Sequence, residues 1–219
     1  MLEGGLVSKE LVQLHERRKD EIRKRLDEFK SVLDKSDEKV FAELAFCICT
    51  PQSKATSAWS AIKSLVENRM LFTGNEDQIK PFLNAVRFNE QKASRIVDAR
   101  RKFTSNGKLA LKSELMKLAD DPTSLREWVR ENVKGCGLKE SSHFIRNIGL
   151  SNNQLAILDV HILKNLKELG VIDEIPKSLT EKKYLEIESK MKNFADKLGI
   201  TLDELDIVLW SKETGMIFK

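Results

Sequence analysis

Apolar residues recur at steps of three and four through almost the whole of this 219-residue chain, strand-like alternation is nearly absent, and only four prolines interrupt the pattern. A chain patterned this way buries its apolar stripes by packing helix on helix, so an all-α protein is expected. Over about 6–33, Leu11, Leu14, Ile22, Leu26, Phe29 and Leu33 make the stripe of one long amphipathic helix. Ser36 with Asp37 and Glu38 suits a second helix start. The "VFAELAFCIC" that follows is hydrophobic on most faces and reads as a buried helix, ended by "TPQSKA". Shorter amphipathic helices are expected at about 54–67, 76–85, 90–103, 109–119 and 124–133. Ser178 with Glu181 reads as a capping box opening a further helix, whose stripe is Tyr184, Ile187, Met191, Phe194 and Leu198. A last helix is expected at about 202–213.

Composition excludes more than it selects. Charged residues make up 33% and hydrophobic ones 41%. No apolar run approaches the roughly 18 residues of a membrane span, and no signal peptide opens the sequence. A soluble, cytoplasmic protein without a membrane partner is expected. Cys47, Cys49 and Cys136 are too few and too oddly spaced for a disulfide framework or a four-ligand metal site. A net charge of +4 permits nucleic-acid binding without requiring it.

The helical pattern breaks most sharply in "VKGCGLKESSHFIRNIG", where Gly135 and Gly137 flank Cys136. Two helices must meet there in a tight turn. It is either an ordinary helix–helix connection or a hairpin whose amides face a phosphate and whose carbonyls face a monovalent cation. Lys139 falls in the first turn of the second helix, where the dipole is unfavourable to an ammonium. A neutral amine is a nucleophile and Schiff-base former, whereas a charged surface lysine is a phosphate contact. Asp159, in "AILDVHIL", is expected to cap a helix over about 160–169, and an ionised carboxylate there could also stabilise a developing positive charge. His161, close behind, is either a packed histidine or a phosphate contact.

Together, "KGCGLKESSHFIRNIG" and "AILDVHIL" resemble the helix–hairpin–helix DNA glycosylases, in particular their compact 8-oxoguanine DNA glycosylase/lyase branch, found mainly in archaea and some bacteria. "FAELAFCICTPQS", "VRFNEQKASRIVDAR" and "LDIVLWSKETGMIFK" extend the resemblance over nearly the whole chain.

The resemblance implies two helical subdomains flanking a DNA-binding and catalytic cleft. One is a central barrel at about 36–150 with the hairpin motif at 124–149; the other is a layer built from 1–35 and 151–219. Lys139 matches the Schiff-base lysine and Asp159 the essential aspartate. Gln52 matches the side chain that fills the gap left by a flipped nucleotide, and Phe88 and Trp210 match aromatics that sandwich the extruded purine. Lys219 matches a terminal lysine that helps recognise the damaged base, and His143 falls near the pocket or in the core beside it. Gly135, Gly137 and His161 are expected on the DNA-binding side, with Lys134 and Arg146 adding basic charge.

The expected partner is double-stranded DNA carrying 8-oxoguanine or abasic sites, bound by a monomer. No cofactor is expected to be required: the four-cysteine pattern of iron–sulfur relatives is absent, and a sodium or potassium ion is the one candidate, at the carbonyls of Glu131, Val133 and Cys136. The implied activity is base excision followed by Schiff-base-mediated β-elimination. The alternatives are a related lyase-competent glycosylase for another damaged base and a non-enzymatic helix–hairpin–helix DNA-binding module.

Overall fold

The computed structural model describes residues 2–219, with side chains from Lys9 onward. The all-α expectation holds: among the described residues there are twelve α-helices, one 3₁₀ segment and one small hairpin of strands. Helix α1 (Leu2–Lys30) opens the chain. The fold then divides into two compact units, Ser31–Leu150 and Met1–Lys30 with Ser151–Lys219.

The continuous unit is organised on α2 (Asp37–Cys49), in which every residue from Val40 to Cys49 is buried. A helix apolar on all faces is stable only when surrounded, and α2 packs against α3 (Ala55–Glu67), α6 (Asn89–Lys102), α7 (Leu111–Met116) and α9 (Leu138–Asn147). Its one acidic buried residue, Glu43, accepts a hydrogen bond from Asn147 Nδ2 of α9 at 3.2 Å. The ring of Phe46 meets Trp59 edge-on at 5.6 Å and His143 at 5.4 Å. Short helices α4 (Met70–Thr73) and α5 (Glu76–Ile79) and helix α8 (Pro122–Asn132) complete this unit.

Several local expectations need correction. The helix expected at 76–85 is α5 followed by a 3₁₀ segment, Lys80–Leu83, because Pro81 has no N–H to continue the α ladder. The helix expected at 109–119 shortens to α7, since Leu109 pairs with Thr104 in a hairpin of β1 (Thr104–Ser105) and β2 (Lys108–Leu109). Asn106 and Gly107 turn that hairpin with φ of 49° and 74°, the geometry an Asn-Gly pair suits.

In the other unit α1 packs on α12 (Leu202–Thr214), which is buried from Leu202 to Leu209 and also contacts α10 (Val160–Glu168) and α11 (Glu181–Leu198). The cap of α11 is Thr180, whose hydroxyl accepts from Lys183 N–H, and not Ser178; the hydroxyl nearest the first helical residue wins. Along α11, Tyr184, Ile187 and Met191 are buried, but Phe194 and Leu198 are only half-buried and Ala195 takes the inner place. Glu204 and Thr201 form the capping box that starts α12. Among the described residues no helix is long and apolar enough to cross a membrane.

Candidate active site

Helices α8 and α9 are joined by only five residues, and the turn closes where the Cys136 N–H donates to the Val133 carbonyl at 3.2 Å. Gly135 has φ +87°, a conformation that favours glycine, and the Arg95 side chain lies against it. Gly137 is extended and stands as the N-cap of α9. Its N–H donates to Glu140 Oε2 at 3.1 Å, while the other oxygen, Oε1, lies 3.0 Å from Lys139 Nζ. One carboxylate therefore fastens the helix start and holds the lysine beside it.

Lys139 is the second residue of α9, with 23% of its side chain exposed. It is neither a free surface lysine nor a buried one. Glu140 is the residue the sequence reading passed over, although a Glu three positions after an N-cap is the usual partner for that cap's amide.

The rest of α9 is buried, which corrects one expectation about basic charge: Arg146 is 3% exposed and cannot reach a phosphate from there. Lys134 is exposed, as expected, and pairs with Asp98 at 2.9 Å. His143 is buried, its ring edge-on to Phe46. All three cysteines are buried; burial pushes the Cys49 thiol up to about 12 and that of Cys136 higher still, so neither is a ready nucleophile.

Gln52 is exposed at the turn between α2 and α3, in the left-handed region at φ 54°. Phe88 is the N-cap of α6, also left-handed at φ 59°, and 47% exposed. Phe88 is one of several large hydrophobic residues exposed among the described residues, and Arg87 lies over its ring, 5.0 Å from the centroid. The two residues belong to one assembly, because the Arg87 N–H donates to Ser53 Oγ at 2.9 Å. Lys92 Nζ donates to the carbonyls of Cys49 and Pro51 and to the same Ser53 hydroxyl.

The discontinuous unit carries the remaining candidates. Asp159 caps α10 as expected, and both capping bonds, from His161 N–H at 2.9 Å and Ile162 N–H at 2.8 Å, fall on Oδ1. Among the described residues Oδ2 keeps its lone pairs. His161 is half-buried in the first turn of α10. Trp210 of α12 stacks on Phe218 at 6.0 Å and 25°, and Lys219 Nζ lies 5.9 Å above the Phe29 ring. Arg18 Nη1 donates to the Gly215 carbonyl at 3.2 Å, fixing the chain where it leaves α12. The structure thus groups Gln52 with Phe88 and Gly137 with Lys139 in the continuous unit. It places Asp159, His161, Trp210 and Lys219 in the other.

The 8-oxoguanine DNA glycosylase family model matches residues 22–200. The chain belongs to the 8-oxoguanine DNA glycosylase family. Its similarity within that family is end to end: it is 42% identical over 211 residues to the 8-oxoguanine DNA glycosylase/AP lyase of Fusobacterium nucleatum, with 96% of each chain covered. The crystal structure of the Methanocaldococcus jannaschii 8-oxoguanine DNA glycosylase superimposes with a TM-score of 0.85 at 35% identity, covering 98% of this chain and 96% of that one. The same archaeal enzyme in complex with a 15mer DNA containing 8-oxoguanine gives 0.84 at 35% identity, covering 95% and 99%.

Proposed function

We propose that this protein excises 8-oxoguanine from double-stranded DNA and then cleaves the abasic strand by β-elimination. The observation that carries this reading is the end-to-end similarity to enzymes of that name, joined to a lysine held at the start of the helix behind a glycine hairpin. Fold alone would not carry it, since one fold hosts many activities.

In this reading Lys139 is the nucleophile. Having lost a proton, its Nζ attacks C1′ of an extruded nucleotide as the glycosidic bond breaks and the base leaves with the bonding pair. Asp159, with Oδ1 occupied by the cap, uses Oδ2 against the positive charge that develops on the sugar. Ring opening gives an iminium between Nζ and C1′. Loss of a C2′ proton then expels the 3′ phosphate, and water releases the lysine. The amides of the first turn of α9 suit a strand phosphate, and Phe88 and Trp210 offer ring faces to a purine, worth about 1–3 kcal/mol per stacked base. Gln52 fills the space the base vacates, and Lys219 reads the base itself. The Val133 carbonyl spends one lone pair on the Cys136 amide and keeps one for a monovalent cation, which would act there as a fixed charge beside the phosphate.

Borohydride reduction during turnover on a duplex containing 8-oxoguanine should trap a covalent protein–DNA complex. A complex on other damaged bases but none on 8-oxoguanine would transfer the chemistry to another lesion. No complex on any lesion or on abasic DNA, with duplex binding intact, would reduce the protein to a binding module.

A further inference from the structure

Lys92 is a buried charge that the chemistry above does not use. It is 1% exposed on the inner face of α6, among Ala93, Ile96 and Val97, a place where lysine is rarely found unless its head is fully partnered. The three ammonium protons have three acceptors: the Cys49 carbonyl at 2.8 Å, the Pro51 carbonyl at 2.7 Å and Ser53 Oγ at 3.1 Å. These acceptors bracket Gln52 on both sides. At its other end Lys92 is tied to Phe88, whose carbonyl receives the Lys92 backbone N–H at 3.0 Å. Ser53 closes the loop by accepting the Arg87 N–H. Gln52 and Phe88 are both held with positive φ, a conformation that residues bearing a β-carbon keep only when their surroundings impose it.

We propose that Lys92 is a positioning residue: its ammonium ties the turn that carries Gln52 to the start of α6 that carries Phe88, so that both side chains are set for DNA before DNA arrives. The assignment of those two side chains to DNA rests on the proposed function; the tie itself does not. An arrangement of this kind needs a cation with three separate donors on a long stem. Burial pushes the Lys92 ammonium down from its ordinary range, so the three acceptors must offset a desolvation cost that an apolar residue would not incur. A methionine at 92 would fill the space and leave two carbonyls without their donor.

The test is Lys92→Met, read in two ways. Amide hydrogen exchange without DNA should quicken by about tenfold or more at 52–53 and 87–88, with α9 unchanged. Single-turnover excision of 8-oxoguanine should fall by about tenfold or more, and in a Gln52→Ala/Phe88→Ala background, where both positioned side chains are gone, adding Lys92→Met should slow excision by no more than about twofold further. A residue that merely stabilises the unit would give losses that multiply in that cycle, and this result would overturn the proposal. So would exchange at 52–53 that matches wild type. If wild-type protein excises nothing, the exchange measurement still decides for or against the tie while the proposed function fails separately. Should Lys92→Met not fold, Ser53→Ala removes the shared acceptor from the same assembly. Faster local exchange in that variant supports the tie, and none refutes it.

Discussion

Two helix starts carry the proposed chemistry, and they are built differently. At α9 the cap and the reactive group are separate residues: Glu140 receives the Gly137 amide and steadies Lys139, which takes no part in closing the helix. At α10 they are one residue, since Asp159 both closes the helix and supplies the carboxylate. A substitution at Lys139 therefore reports on chemistry alone, whereas one at Asp159 mixes chemistry with folding unless the replacement still caps.

The sharpest way to exploit the difference is Lys139→Gln, which should abolish excision and borohydride-trapped complex while leaving lesion-DNA affinity and the unfolding midpoint unchanged. Normal trapping by this variant would remove Lys139 from the reaction. Next in size, Asp159→Asn should slow the single-turnover step by about 10²–10³-fold, because charge stabilisation goes while asparagine still caps. Asp159→Ala should add to that a stability loss of about 1 kcal/mol, measurable by urea unfolding, and if the two variants are equally stable the cap contributes nothing. The counterpart at α9 is Glu140→Ala, expected to cost about 0.5–1 kcal/mol through the lost amide partner.

The smallest effect concerns pH. Lys92 has a folded-state pKa below its ordinary value, so the unfolded chain binds more protons in the window between them. Its contribution to stability is complete above the ordinary value and shrinks as pH falls through the lowered one. As pH rises toward the ordinary lysine value of about 10.4, wild type should gain stability relative to Lys92→Met. A constant difference across that window would argue against a depressed Lys92.

Legibility in the sequence followed how local each cause is. Helix α2 was legible because a run apolar on every face has only one stable place, and Asp159 was legible because a cap acts on amides two and three residues away. The α11 start slipped from Thr180 to Ser178 because either hydroxyl precedes the same helix, and only the backbone angle selects between them. The β-hairpin at Thr104–Leu109 was overlooked despite Asn106-Gly107, since two strands of two residues leave no alternation to detect. Lys92 and Arg146 could not be read as buried. A long basic side chain on an amphipathic helix looks solvated, and the acceptors that draw Lys92 inward lie about forty residues away in sequence. Glu140 was legible as the residue three positions after a glycine N-cap, whose amide it accepts.

The division of the chain also has a temporal side. The unit Ser31–Leu150 is a single run of sequence, so it can fold as soon as Leu150 leaves the ribosome. Helix α1 is made earlier, yet its packing partner α12 begins only at Leu202. At about 5–20 residues per second, an amphipathic helix waits on the order of ten seconds or more with its apolar stripe uncovered. During that interval the finished half of the protein is tethered to an unfinished one, and α1 is the segment on which a nascent-chain chaperone would be found.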